Sequence, residues 1–229
     1  MDAKLKIKWI AHACFEISGT KKIIIDPFIE GNPAATIKKE EVKADIVVVT
    51  HGHGDHVGDA IFIAKNNSAP IVTMVELAWL LKEKDNTLEV HDINFSGSVT
   101  IGPVTITAVP ALHSSSFEGK FAGNPGGMII KMDGKTIYHA GDTGVFLDME
   151  LIGEMHHPEI AMVPIGGHYT MSPAEASRAI EMIRPKIAIP MHYNTFPLIQ
   201  QDPLKFKDMV ERKGMTKVQV MIPGQTVEL

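Results

Sequence analysis

Asp45-Ile46-Val47-Val48-Val49-Thr50-His51-Gly52-His53-Gly54-Asp55-His56 is the stretch from which the rest of the chain can be read. Ile46 to Val49 are all β-branched and apolar, and with Thr50 they predict a strand buried on both faces, since alternate side chains of a strand point to opposite sides. The histidines emerge where that strand ends. Gly52 and Gly54 let the backbone turn tightly, so His51 and His53 aim at one point while Asp55 and His56 face a neighbouring one. That arrangement suits two cations better than one. Imidazole nitrogen and carboxylate oxygen are donors for Zn, Mn or Fe, and the only cysteine, Cys14, is remote in sequence. A polar loop with surface histidines is the competing reading, and four donor residues in six positions weigh against it.

Outward from this turn, strand-like and helix-like segments alternate. Lys4 to Ile10 sets Lys4, Lys6 and Lys8 against Leu5, Ile7 and Trp9, the period-2 pattern of a strand with one solvated face. Lys22 to Asp26 is a second strand, stopped by Pro27. A helix is predicted over Val57 to Asn66, a strand over Ile71 to Met74 and a helix over Glu76 to Lys84. Gly102-Pro103 and Asp133-Gly134 mark hairpins within Val99 to Val109 and Met128 to His139. Ser172-Pro173-Ala174-Glu175 reads as a capping box with proline at the first helical position, and Ala176, Ala179, Ile180 and Ile183 then form an apolar stripe to lie against a sheet. A strand over Lys186 to Pro190, a helix over Pro203 to Lys213 and a strand over Val218 to Ile222 complete the series.

The two halves overlay at an offset of 114 to 116 positions, read directly from the sequence. Ile25-Asp26 falls on Gly141-Asp142, the strand from Asp45 to Thr50 on Glu159 to Pro164, and Ile71 to Met74 on Ile187 to Pro190. Two similar halves facing each other would put a site at their junction. Further donors occur at strand ends in the order such a site needs: His113 after Val104 to Val109, Asp142 after Thr136 to Tyr138, and His192 after Ile187 to Met191. Taken alone, each is more often a loop residue with a local hydrogen bond.

The series His51-x-His53-x-Asp55-His56, His113, Asp142 and His192 resembles the ligand set of the metallo-β-lactamase superfamily, over nearly the whole chain. The resemblance implies an α/β fold, a four-layer αββα sandwich. It also implies one metal held by His51, His53 and His113, a second by Asp55, His56 and His192, Asp142 bridging, and Asp26 supporting the metal-binding loop. Ile165-Gly-Gly-His-Tyr-Thr-Met171 and Met191-His-Tyr-Asn-Thr-Phe196 look most like a compact branch of metal-dependent hydrolases similar to the ascorbate-phosphate lactonase group. β-Lactamases of this fold usually have cysteine at the position of Asp142, and the diiron oxidoreductases usually have glutamate at that of His53. Both departures favour hydrolysis of something other than an antibiotic.

The expected activity is therefore hydrolysis of a small phosphodiester or ester by hydroxide shared between two divalent ions, Zn or Mn first and Ni or Fe as alternatives. A lactonase acting on a phosphorylated sugar lactone and a non-catalytic metal-binding protein are the competing readings. Asp55 and His168 are assigned to the chemical step. His168 follows Gly166-Gly167, where it either donates to substrate or serves as a loop histidine. His12 reads first as structural and second as a residue lining the cleft. Cys14 reads as a small buried side chain, and the glycine- and serine-rich segment Ser114 to Gly127 as a loop contacting substrate.

The 229 residues, 45% of them hydrophobic, suffice for one layered domain spanning 1–229. A net charge of −5 removes the general electrostatic reason to bind large nucleic acids. The start Met1-Asp2-Ala3-Lys4 lacks a secretory pattern, and there is no long apolar run. With a single cysteine, these features lead to a cytoplasmic protein with a small-molecule substrate, phosphorylated or not, no membrane partner, and room for a homo-oligomer.

Overall fold

The computed structural model describes residues 5–228. The first sheet contains β1 (Lys6–Ala11), β2 (Cys14–Ser18), β3 (Lys22–Ile25), β4 (Ile46–Val48), β5 (Ile71–Met74) and β6 (Val90–Ile93), with α1 (Gly54–Val57) and α2 (Ala60–Asn67) after β4 and α3 (Val75–Lys84) after β5. The second contains β7 (Ser98–Ile101), β8 (Val104–Pro110), β11 (Gly126–Met132), β12 (Lys135–His139), β13 (Ile160–Pro164), β14 (Ile187–Met191) and β15 (Lys217–Val218). Its helices are α4 (Met149–His156), α5 (Pro173–Ile183) and α6 (Pro203–Glu211). A small ribbon, β9 (Ser116–Phe117) and β10 (Lys120–Phe121), stands apart, and β16 (Thr226–Glu228) pairs with β1.

Branched aliphatic strands with both faces apolar need cover on both faces, and the layers follow from that requirement. Ile46 and Val48 of β4 join Ile23, Ile25 and Val72 in the core between the sheets, whereas Val47, Val49, Ile24 and Ile71 pack under Ala60 and Ile63 of α2 and Leu77 and Leu81 of α3. Met149 and Ile152 of α4, Ala176, Ala179, Ile180 and Ile183 of α5, and Phe206 and Val210 of α6 cover the second sheet. The result is helix, sheet, sheet, helix. Each fully buried Ile or Val side chain contributes about 1.5–3 kcal/mol of transfer free energy to this packing.

The two sheets repeat one plan. In the first, β1–β2 and β2–β3 are antiparallel, and β3–β4, β4–β5 and β5–β6 are parallel. In the second, β8–β11 and β11–β12 are antiparallel, and β12–β13, β13–β14 and β14–β15 are parallel. This matches the halves seen in the sequence. It also means that β1, β3, β4 and β5 share one direction, as do β8, β12, β13 and β14, so their C-terminal ends share one edge of each sheet.

Three expectations change. The helix expected from Val57 to Asn66 is broken at Gly58, where φ is +41° and a Cβ would lie 2.5 Å from the Pro27 carbonyl oxygen, so α1 ends and α2 begins anew. The strand expected over Val218 to Ile222 pairs only at Lys217 and Val218; the chain then leaves the second sheet, passes Pro223 and meets β1, with Trp9 N–H donating to the Gln225 carbonyl at 3.0 Å. The first strand is β1 from Lys6, and Lys4 lies outside the described residues. Among the described residues no helix is long and apolar enough to cross a membrane.

Candidate metal centre

Beyond β4 the chain turns within a few residues, and His53 precedes the single turn α1 that carries Asp55 and His56. Gly52 can pass here because it has no side chain: a Cβ would meet the Ser116 carbonyl oxygen at 2.9 Å and Ala122 Cβ at 2.7 Å. His113 follows β8, Asp142 follows β12 and His192 follows β14, so all seven predicted donors stand at C-terminal strand ends, facing one another across the two sheets.

The structure brings these seven together. His51 Nε2 lies 3.0 Å from His53 Nδ1, and the His51, His53 and His113 rings are mutually edge-on at 4.7 to 5.3 Å. Asp142 reaches toward both sides, with Oδ2 3.5 Å from His113 Nε2 and 3.1 Å from His192 Nε2, and Oδ1 3.3 Å from His56 Nε2. Asp55 Oδ2 is 3.8 Å from His192 Nε2.

Hydrogen bonds behind the rings settle which nitrogens face inward. Asp26, buried at the end of β3, accepts Thr50 N–H on Oδ1 and the Thr50 hydroxyl on Oδ2, each at 2.8 Å. Because that hydroxyl has spent its only proton, its oxygen accepts from His51 Nδ1–H at 3.0 Å, which leaves His51 Nε2 as a lone pair. His56 Nδ1–H donates to Asp26 Oδ2 at 2.8 Å, directing Nε2 inward likewise. This is how metal-ligating histidines are usually supported.

The buried atoms left over fit a cation. His56 Nε2, Asp142 Oδ1 and both nitrogens of His192 have no hydrogen-bond partner of acceptable geometry among the described residues. Burial alone would lower the basicity of His56 and His192, yet Asp142, joined at His56 by Asp26, holds the His56 imidazolium well above its ordinary value and His192 at about 9. Burial would raise the carboxyl of Asp142, but His192 and His56 hold it well below the usual carboxylate range. Burial keeps His51, His53 and His113 on the neutral side. Without metal, protons on His56 and His192 stand where positive charge is required, and cations would displace them. Two donor groups fit separate ions: His51, His53 and His113, and a second formed by Asp55, His56 and His192 with His12 beside them; Asp142 groups with His51 and His56.

His12 is the residue that sequence reasoning undervalued. It is buried, its Nε2 lies 3.1 Å from Asp55 Oδ2, and its ring sits 3.9 Å from that of His192. Burial first, with His192 and His56 nearby, lowers its pKa to about 4. The signal was available in strand direction: β1 runs parallel to β3 and β4, so the residue after β1 had to reach the edge that holds Asp26 and His51.

His168 is exposed, its ring edge-on to Tyr169 at 4.5 Å, with no contact to the seven among the described residues. His139, given no role from sequence, is a buried tie: Nε2–H donates to the Ala13 carbonyl and Nδ1 accepts from Gly141 N–H. Cys14 is buried in the core under α2 and α3. The segment after His113 lies against the turn: Ser115 Oγ accepts from Gly52 N–H at 3.1 Å, Ser114 Oγ is 3.5 Å from His53 Nε2, and the β9–β10 tip is tied to α3 by Lys120–Glu83 and Lys84–Glu118 pairs.

The beta-lactamase superfamily domain matches residues 6–192 of the chain. Two proteins named UPF0173 metal-dependent hydrolase, from Archaeoglobus fulgidus and Thermococcus kodakarensis, are 49% and 50% identical, over 98% of this chain and 99% and 100% of their own lengths. Among solved structures, Igni18, a metallo hydrolase from the archaeon Ignicoccus hospitalis, superposes with a TM-score of 0.91 at 40% identity, covering 99% of this chain and 98% of its own.

Proposed function

The chain belongs to the beta-lactamase superfamily, among metal-dependent hydrolases, and from that premise we propose that it hydrolyses a small phosphodiester or ester with two divalent ions held by His51, His53, Asp55, His56, His113, Asp142 and His192. The observation carrying this reading is the convergence of seven donors whose inward nitrogens, at His51 and His56, are freed by hydrogen bonds behind them. When bound, two such ions lower the pKa of a shared water and polarise the oxygen under attack.

The chain's own residues supply positioning. Thr50 and Asp26 fix the imidazoles before substrate arrives, so little reorganisation is needed during the reaction. Asp55, partly open to solvent, is the proposed proton acceptor at its carboxylate. His168 is the proposed donor from the rim to the departing group. Ser114 and the β9–β10 segment are the proposed substrate wall. A lactone joined to a phosphate is the nearest competing substrate, since it combines the anionic oxygens of a phosphate with the acyl carbon of an ester.

The test is reconstitution of metal-stripped protein with Zn, Mn and Ni separately, each assayed on phosphodiester, phosphomonoester, lactone and thioester panels. We expect phosphodiester or ester turnover that His53→Ala lowers at least about 100-fold and His168→Ala lowers about 10²–10⁴-fold if it transfers a proton. Full activity in His53→Ala would disprove the site; full activity in His168→Ala would remove only that residue's role.

A further inference from the structure

We propose that His12 is a positioning residue, which holds the Asp55 carboxylate from one side and the His192 backbone from the other so that both present their donors to one ion. The inference rests on the dinuclear reading above and adds a residue outside the seven.

The proton inventory separates His12 from the ligating histidines. Asp55 is ionised and can only accept, so the 3.1 Å contact requires the proton on His12 Nε2. A neutral imidazole then has a bare Nδ1, and that nitrogen accepts from the Thr195 hydroxyl at 2.9 Å. His12 is thus the opposite tautomer to His51 and His56. Its inward nitrogen donates a hydrogen bond and has no lone pair for a cation. Phe28 and Phe196 stand edge-on to the ring at 5.9 and 5.5 Å and pack its position.

The main chain supplies the second half. His12 has φ of +56°, the left-handed region that few non-glycine residues occupy. Its carbonyl accepts two donors, Trp9 Nε1–H at 2.9 Å and His192 N–H at 3.0 Å. His192 also lies in the left-handed region, with φ of +54°, and its Nδ1 lacks the hydrogen-bonded support found behind His51 and His56. Its ring is oriented instead by packing against His12 at 3.9 Å and His56 at 5.6 Å. One residue of the first half therefore sets both Asp55 and the second-half donor His192.

His12→Asn is the informative variant, because asparagine tolerates a left-handed backbone and keeps the carbonyl contacts while its shorter side chain releases Asp55. Metal titration of stripped protein by calorimetry, with bound ions counted, should show one of the two equivalents weakened about 10- to 100-fold and the other unchanged. Thr195→Val should shift the same equivalent in the same direction, and Thr195→Ser should restore it. Two unchanged equivalents in His12→Asn would overturn the proposal. So would equal weakening of both with a lower melting temperature of the metal-free protein, the mark of a general structural role. A cobalt absorption spectrum altered in His12→Asn but not in Thr195→Val would make His12 a direct donor and also overturn it. Failure of the unaltered protein to take up two ions would instead defeat the dinuclear reading itself.

Discussion

Asp26 carries three hydrogen bonds on one buried carboxylate, and its charge is what orders the turn above it. Replacement by asparagine keeps the shape but leaves one accepting oxygen for two sets of donors. If that oxygen keeps Thr50 N–H, the amide NH₂ faces His56 Nδ1 and forces its proton to Nε2, where a cation needs a lone pair. Asp26→Asn should therefore weaken metal binding about 10- to 100-fold with the backbone intact, as measured by metal titration beside circular dichroism. Unchanged affinity would show that the His56 tautomer is not set from behind. The four candidate donors in residues 51–56 were legible from their spacing alone, whereas His113, Asp142 and His192 became so only beside them and through the family resemblance. For His12 strand direction indicated the place, but not the role, since its partners Asp55, Thr195 and His192 are distant in sequence and that role depends on which nitrogen bears a proton. His168 stands apart from the seven, exposed beside Tyr169, so its proposed role at the rim rests on the glycine pair before it and on the activity of His168→Ala.

At the scale of elements, α5 is the best-signalled helix. Ser172 N–H and hydroxyl both donate to Glu175 Oε2 at 2.8 Å, and Glu175 N–H returns to Ser172 Oγ. These bonds, the backbone one foremost, hold the Glu175 carboxyl below its ordinary value. A carboxyl lowered by folding contributes stability that is whole above its unfolded pKa, about 4.3, and is lost as pH falls through the lower folded value. Ser172→Ala should cost about 1 kcal/mol at pH 7 in denaturant unfolding, and the gap should narrow below about pH 4 as Glu175 is protonated in both proteins. A gap that widens on acidification would exclude the capping box as the cause. Most strands and helices were readable in this way, from periodicity and caps. The break at Gly58 was hidden because it answers to Pro27, and the loss of the strand after Val218 because β1 draws that segment to the other sheet.

For the whole molecule, the cleft is where two similar halves meet. His51, His53, Asp55 and His56 come from one, His113, Asp142 and His192 from the other, so cations held in the proposed way would need both halves folded and docked. An ion at 100 times its dissociation constant adds about 2.7 kcal/mol to folding, which for a chain of this size raises the melting temperature by roughly 5–10 °C. Saturating Zn or Mn added to stripped protein should give that rise in calorimetry, and His192→Ala should reduce it, because one of the two ions loses its second-half histidine. An equal rise in the variant would mean that His192 holds no ion. The pairing of Lys6 with Glu228 bears on the same union from the opposite margin. Loop-closure entropy must be met before so distant a contact gains anything, so the first sheet acquires its outermost ribbon only after the polypeptide has doubled back on itself. The pairing thus joins segments far apart in sequence along one edge of the first sheet, a contact whose closure entropy is among the largest in the fold.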